Sequence, residues 1–190
     1  MSAGNQRLRE LITLALLAAL MFATQVALAA LPNIHLLGVF TVAFTVVYRK
    51  KALYPIYIYV FLNGLYSGFN TWWIPYLYIW TILWGATMLL PKNMSDIAKS
   101  VVYTTVCALH GLFFGVLYAP VYAIMMKLDM AGIIAWVSAG ISFDILHCIG
   151  NLAAGLLIVP SAKLLKKLSA QWARVSTMVL RVTRGERDMV

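Results

Sequence analysis

Residues 45–93 read TVVYRKKALYPIYIYVFLNGLYSGFNTWWIPYLYIWTILWGATMLLPKN. Three consecutive cations, Arg49, Lys50 and Lys51, are followed by an uncharged run, 52–91, and then by Lys92. A helix needs about 20 apolar residues to cross the hydrocarbon core of a bilayer. The run has room for two crossings, and its polar break falls at Asn70 to Trp73. The segment therefore predicts a helical hairpin, about 52–69 and 74–90, that leaves the cationic side and returns to it. Pro55 fits the first turn of one helix, Pro75 opens the next and Pro91 ends it.

The same punctuation extends in both directions. No charge lies between Glu10 and Arg49, or between Ser100 and Met126. Asp144 is the one charge between Asp129 and Lys163. Further helices are predicted at about 11–31, 34–48, 97–118 and 142–168, with a basic tail at 169–190. Pro32 and Asn33 separate the first two, and Pro160 interrupts the last. The fifth extends to Met126 if it passes Pro120. The stretch 128–140 reads as a connection, a lid or a short interfacial helix.

Composition agrees. The 190-residue chain is 63% hydrophobic and 11% charged, against roughly 45–50% and about 25% for soluble domains. One core of this size could not hide that much apolar surface. The expectation is one all-α integral membrane domain over 1–190, with six transmembrane helices in the cell membrane. Arg7 and Arg9 before an apolar run resemble a signal peptide. That run is long for one, and more spans follow, so it reads as a retained first helix.

Sidedness follows from the cations. With both termini cytoplasmic, all of the 15 Lys and Arg residues except Lys127 fall on the inner side, as the positive-inside rule requires. Five spans would put the C-terminal cluster outside. The net charge of +9 is thereby explained by lipid, and no nucleic-acid partner is expected. Cys107 and Cys148 read as buried thiols without metal spacing.

Polar residues in apolar spans are costly and mark function. Asp144, His147 and Asn151 share one face of the last span. Asp144 reads as a ligand contact, or else as a cap with His147 bonded to a neighbouring helix. Tyr76, Trp80 and Trp84 recur at four-residue spacing, beside Trp72 and Trp73. Inward rings would stack on a flat ligand, whereas an interfacial aromatic belt explains at least one of Trp72 and Trp73. Asn33, His35, Asn63 and Asn70 supply hydrogen bonds at the outer side, and Tyr118 and Tyr122 end there too. His110 reads as a hydrogen-bonded core histidine. The candidate substrate contacts are thus Asn33, His35, Asn63, Asn70, Trp73, Tyr76, Trp80, Asp144, His147 and Asn151. His35, His110 and His147 come from three separate segments, which argues against a metal site. No nucleotide-binding loop and no hydrolase or metalloprotease motif is present, so no catalytic residue and no cofactor is expected.

Ala15, Ala19, Ala23 and Ala27 form a small-residue stripe on the first helix. Such stripes let helices approach closely in lipid. The partner is either a helix of this chain or another membrane subunit.

Six short helices, the AxxxA stripe, the block TVVYRKKALYPIYIYVFLNGLYSGFNTWWIPYLYIWT and the stretch FDILHCIGN at 143–151 resemble the substrate-binding S components of energy-coupling factor transporters. The resemblance spans about 11–168. It implies capture of a vitamin or related heterocyclic micronutrient from outside. It also implies docking, through Ala15, Ala19 and Ala23, onto a transmembrane T component with two ATPase subunits. On this view the chain is not itself an enzyme. A self-contained proton-coupled carrier using Asp144 and His147, or a membrane sensor that does not transport, are the alternatives.

Overall fold

The computed structural model describes residues 3–31 and 34–185, and these are helical without a strand. The helices are α1 (Ala3–Ala27), α2 (Leu37–Tyr48), α3 (Leu53–Ser67), α4 (Tyr76–Leu89), α5 (Asp96–Leu112), α6 (Phe114–Met126), α7 (Met130–Gly155) and α8 (Ile158–Gly185). A tight 3-10 turn, Arg49–Ala52, joins α2 to α3. Three stretches are long and apolar enough to cross a membrane: Arg7–Ala27, Asp96–Met126 and Met130–Gly155. Helix α4, at 14 residues, is apolar but shorter.

The final third of the chain departs from the sequence reading. The stretch 128–140 is helical from Met130 and continuous with the span to Gly155. Asp129 caps it, its carboxylate accepting the Gly132 N–H at 2.8 Å. Gly132 and Gly140 suggest a connection in the sequence, but the helix carries both. The expected single helix over 142–168 is therefore two. The break falls at Leu156 and Leu157, ahead of Pro160, which sits in the first turn of α8. There its missing N–H costs no internal bond. Likewise α5 and α6 are nearly continuous, broken only at Phe113.

Helix α2 lies at the centre, packed against α4, α5, α7 and α8. Its Leu37, Val42 and Ala43 are fully buried, along with Ile56 and Tyr59 of α3 and Ile79 and Trp80 of α4. Helix α7 is inverted relative to a helix of a soluble protein. Its buried residues are Asp144, His147, Asn151 and Gly155, while Ile134, Ile141, Ile145, Ile149 and Leu152 are exposed. In water this arrangement would lose the hydrophobic driving force; in lipid it is the expected one.

One end of the bundle gathers the charges. Lys51 pairs with Glu10. Lys163 pairs with Asp96 at 2.6 Å, and the Arg49 guanidinium donates to the Met88 carbonyl at 3.1 Å. Tyr48 and Ser169 hydroxyls meet at 3.3 Å. These contacts bring the ends of α1, α2, α4, α5 and α8 together.

Candidate ligand-binding site

Away from that charged end, five rings close a circuit. His35 precedes α2 and touches Trp80 of α4, with ring centres 5.9 Å apart. Trp80 touches His110 of α5 at 5.5 Å, and His110 touches Phe114 of α6 at 5.9 Å. Phe114 meets His147 of α7 at 4.7 Å. His147 returns to His35 at 4.6 Å. Each ring comes from a different element, so the circuit exists only when the bundle is assembled.

The nitrogens of this circuit are the chemical feature. Trp80, His147 and His110 are 0%, 2% and 7% exposed. His110 Nε2–H donates to the Ile79 carbonyl at 3.1 Å, which leaves its Nδ1 without a proton partner. Nδ1 of His110, Nε1 of Trp80, Nδ1 of His35 and Nε2 of His147 all lack a hydrogen-bond partner in the protein. A buried polar group left so costs about 1–3 kcal/mol, and native folds rarely tolerate several together. Among the described residues the other buried side-chain atoms without a partner belong to Gln25, Thr41, Tyr59 and Thr104, one apiece on α1, α2, α3 and α5. Four such atoms fall on one cluster. Trp80 supplies a donor, His110 an acceptor, and the other two imidazoles either.

Further rings extend the circuit along the bundle. Tyr76 contacts Trp80 at 5.8 Å and Tyr118 at 6.3 Å, and Tyr118 contacts Phe114 at 5.1 Å. Tyr122 follows at 6.2 Å and stacks on Trp136 of α7 at 4.9 Å. Tyr118 also donates to the Trp72 carbonyl at 2.8 Å, tying α6 to the turn before α4.

Of the residues singled out from the sequence, His35, Tyr76, Trp80 and His147 come together here. Asp144 and Asn151 line the adjoining seam between α7 and the α5–α6 pair. Both Asp144 oxygens accept the Gly115 N–H, at 3.0 and 3.1 Å. That amide is one of the free donors at the start of α6. Asp144 thus caps a neighbouring helix, and not the start of its own as the capping alternative had it. Asn151 donates to the Cys107 carbonyl at 2.9 Å. Asn70 accepts the Trp72 N–H at 3.1 Å within its own turn, and Trp73 donates to the Val60 carbonyl at 2.8 Å, locking that turn onto α3. Asn63 is buried on α3. Asn33 lies outside the described residues. Trp84 does not continue the row of Tyr76 and Trp80 into the circuit; its indole N–H donates to the Arg49 carbonyl at 3.1 Å, at the charged end.

Phe114 is not among the residues singled out from the sequence, whereas His110 is buried and hydrogen-bonded as expected. A signal was present: His110, Phe114, Tyr118 and Tyr122 recur every four residues, one face of a helix. The three histidines do come together although they lie on separate segments, His35 and His110 against Trp80 and His147 against His35. Even so, among the described residues no group of three His, Cys, Asp or Glu side chains is placed to hold a metal ion.

Close approach at the seam depends on Gly115. A Cβ there would lie 2.5 Å from Asp144 Oδ2, inside contact distance of a group fixed by its own hydrogen bonds. Gly115→Ala is expected to destabilise the chain by about 1–3 kcal/mol, the usual range for overpacking. A thermal melt in mild detergent measures it; Gly140→Ala, mid-helix in α7 with nothing within 4 Å, serves as the control and holds or raises the melt slightly.

Comparison with protein-family models, curated proteins and solved structures finds no match to this chain.

Proposed function

We propose that this chain is the substrate-binding subunit of an ATP-driven importer of the energy-coupling factor type. It sits in the cell membrane and captures a small, flat, heterocyclic micronutrient from outside. One observation carries this reading: the buried circuit of His35, Trp80, His110, Phe114 and His147, with four ring nitrogens unpartnered in the protein. Aromatic walls with a few convergent polar atoms suit a flat ligand that both donates and accepts hydrogen bonds.

A second observation supports a partner. Ala15, Ala19, Ala23 and Ala27 are all exposed, while Leu14, Leu17, Ala18 and Met21 face the bundle. The stripe is therefore not spent on packing within the chain. It is free to meet a transmembrane T component, with two ATPase subunits beyond it supplying the hydrolysis.

On this reading the chain crosses the bilayer six times, through α1, α2, α3, α4, the α5–α6 pair and α7. Helix α8, with Lys163, Lys166 and Lys167, runs along the inner surface, and both ends are cytoplasmic. Single cysteines at positions 130 and 95 test the topology with an impermeant thiol reagent, Cys107 and Cys148 being replaced. Position 130 should label from outside and 95 only after permeabilisation; the reverse pattern overturns the topology.

Function is tested by what the purified chain carries. Extraction in mild detergent, denaturation and mass spectrometry of the released small molecules should find one ultraviolet-absorbing heterocycle per chain. A chain that emerges empty, and whose tryptophan fluorescence ignores pooled heterocyclic vitamins, would count against the proposal.

The three gathered histidines favour one other reading, a self-contained proton-coupled carrier in which His35 and His147 pass a proton. Such a carrier moves substrate into sealed vesicles without ATP or partner subunits.

A further inference from the structure

We infer that α3 carries a selective site for an anionic phospholipid, independent of the ligand circuit and resting only on the chain's being membrane-embedded. A groove of about 650 Å³ opens on the outer face of α3, with Lys50 and Lys51 at one end and Leu53, Tyr54, Tyr57, Ile58 and Phe61 along it. Tyr54, Tyr57, Ile58 and Phe61 are exposed, at 60%, 41%, 40% and 55%. They recur at i, i+3, i+4 and i+7, one face of the helix.

Length and charge name the occupant. The groove runs from Lys50 to Phe61. At 1.5 Å per residue it spans roughly 16 Å, about half of the roughly 30 Å hydrocarbon core. That is the depth of one leaflet, the reach of one acyl chain. The cation stands at the end where a headgroup would lie. Lys51 is engaged by Glu10 and Arg49 by the Met88 carbonyl, whereas Lys50 makes no ion pair among the described residues. Tyr57 stays in place as a wall because its hydroxyl meets the Leu77 carbonyl at 3.0 Å and the Thr81 hydroxyl at 2.8 Å. An ammonium above an apolar, aromatic-walled trough one leaflet deep fits a phosphate diester carrying an acyl chain. An acidic protein helix would want cations distributed along the groove, and there are none beyond its end.

The test uses the purified full chain in mild detergent. Phosphatidylglycerol and phosphatidylcholine with identical acyl chains are offered at equal concentration, and retained lipid is counted by native mass spectrometry. Phosphatidylglycerol should be retained about fivefold over phosphatidylcholine, the effect of one lysine near an anionic surface, and the preference should shrink with salt. Lys50→Gln should abolish the preference, while Lys92→Gln, at the same end but outside the groove, should preserve it. Ile58→Trp should displace both lipids by filling the trough. These positions are exposed, so circular dichroism should stay unchanged. A preference that survives Lys50→Gln, or retention indifferent to Ile58→Trp, overturns the site. So does a wild-type chain without lipid preference whose Lys50→Gln variant instead loses a co-purifying acidic protein.

Discussion

Trp80→Ala should be the most damaging single substitution in the proposed ligand site. The side chain is fully buried and touches Tyr76, His35, His110 and Phe114. Its removal leaves a cavity at the junction of α4, α5 and α6 and costs about 3–5 kcal/mol. Loss of ligand binding by this variant would be uninformative if the fold also weakened. Trp80→Phe separates the two effects. It keeps most of the ring and removes a donor that has no partner in the protein. Stability should fall far less than in Trp80→Ala, the smaller cavity being partly offset by the loss of an unpartnered buried N–H. Ligand affinity should fall by roughly tenfold, the equivalent of about 1.4 kcal/mol for one lost hydrogen bond. Thermal melts and binding titrations on the same preparations separate the two. Unchanged affinity in Trp80→Phe would remove the indole nitrogen from the site.

The second large effect is expected on assembly. Ala19 is exposed on α1, so a tryptophan there meets nothing in its own chain. Against a closely packed partner helix the same ring separates the two backbones, and small-residue contacts in lipid have little else to hold them. Ala19→Trp should therefore leave ligand affinity within twofold of wild type and reduce recovery of the assembled complex by more than tenfold. Both are read from one tagged preparation, by titration and by quantifying partner subunits. A complex that forms normally would assign the stripe to lipid contact.

The helical class of this chain is plain in its charge spacing, because uncharged runs longer than 20 residues have few other fates. The boundaries were less accessible. Nothing local distinguishes a glycine that ends a helix from Gly132 and Gly140, which α7 simply carries. Pro160 looked like an interruption, whereas the break came just before it and made the proline a first-turn residue. The candidate site was legible in pieces. Trp80 and His147 stood out because polar and aromatic groups in apolar spans are conspicuous. Their meeting with His110 and Phe114 depends on how α4, α5 and α7 are rotated about their axes, and periodicity gives faces without saying which faces meet. Asp144 shows the limit most clearly. As the lone acid in its span it invited a ligand role, and its oxygens turn out to hold Gly115 of α6. That partner lies 29 residues away, beyond any local pattern. Asn70 Oδ1 is used within the α3–α4 turn and the Trp73 indole N–H on α3.

The most direct test of the account is recovery of the tagged chain from its native membrane in mild detergent, with every co-purifying protein identified and counted. The account predicts one T-type transmembrane subunit and two ATPase subunits per chain. A chain recovered without partners, which in sealed vesicles moves its substrate on a proton gradient alone, would contradict it.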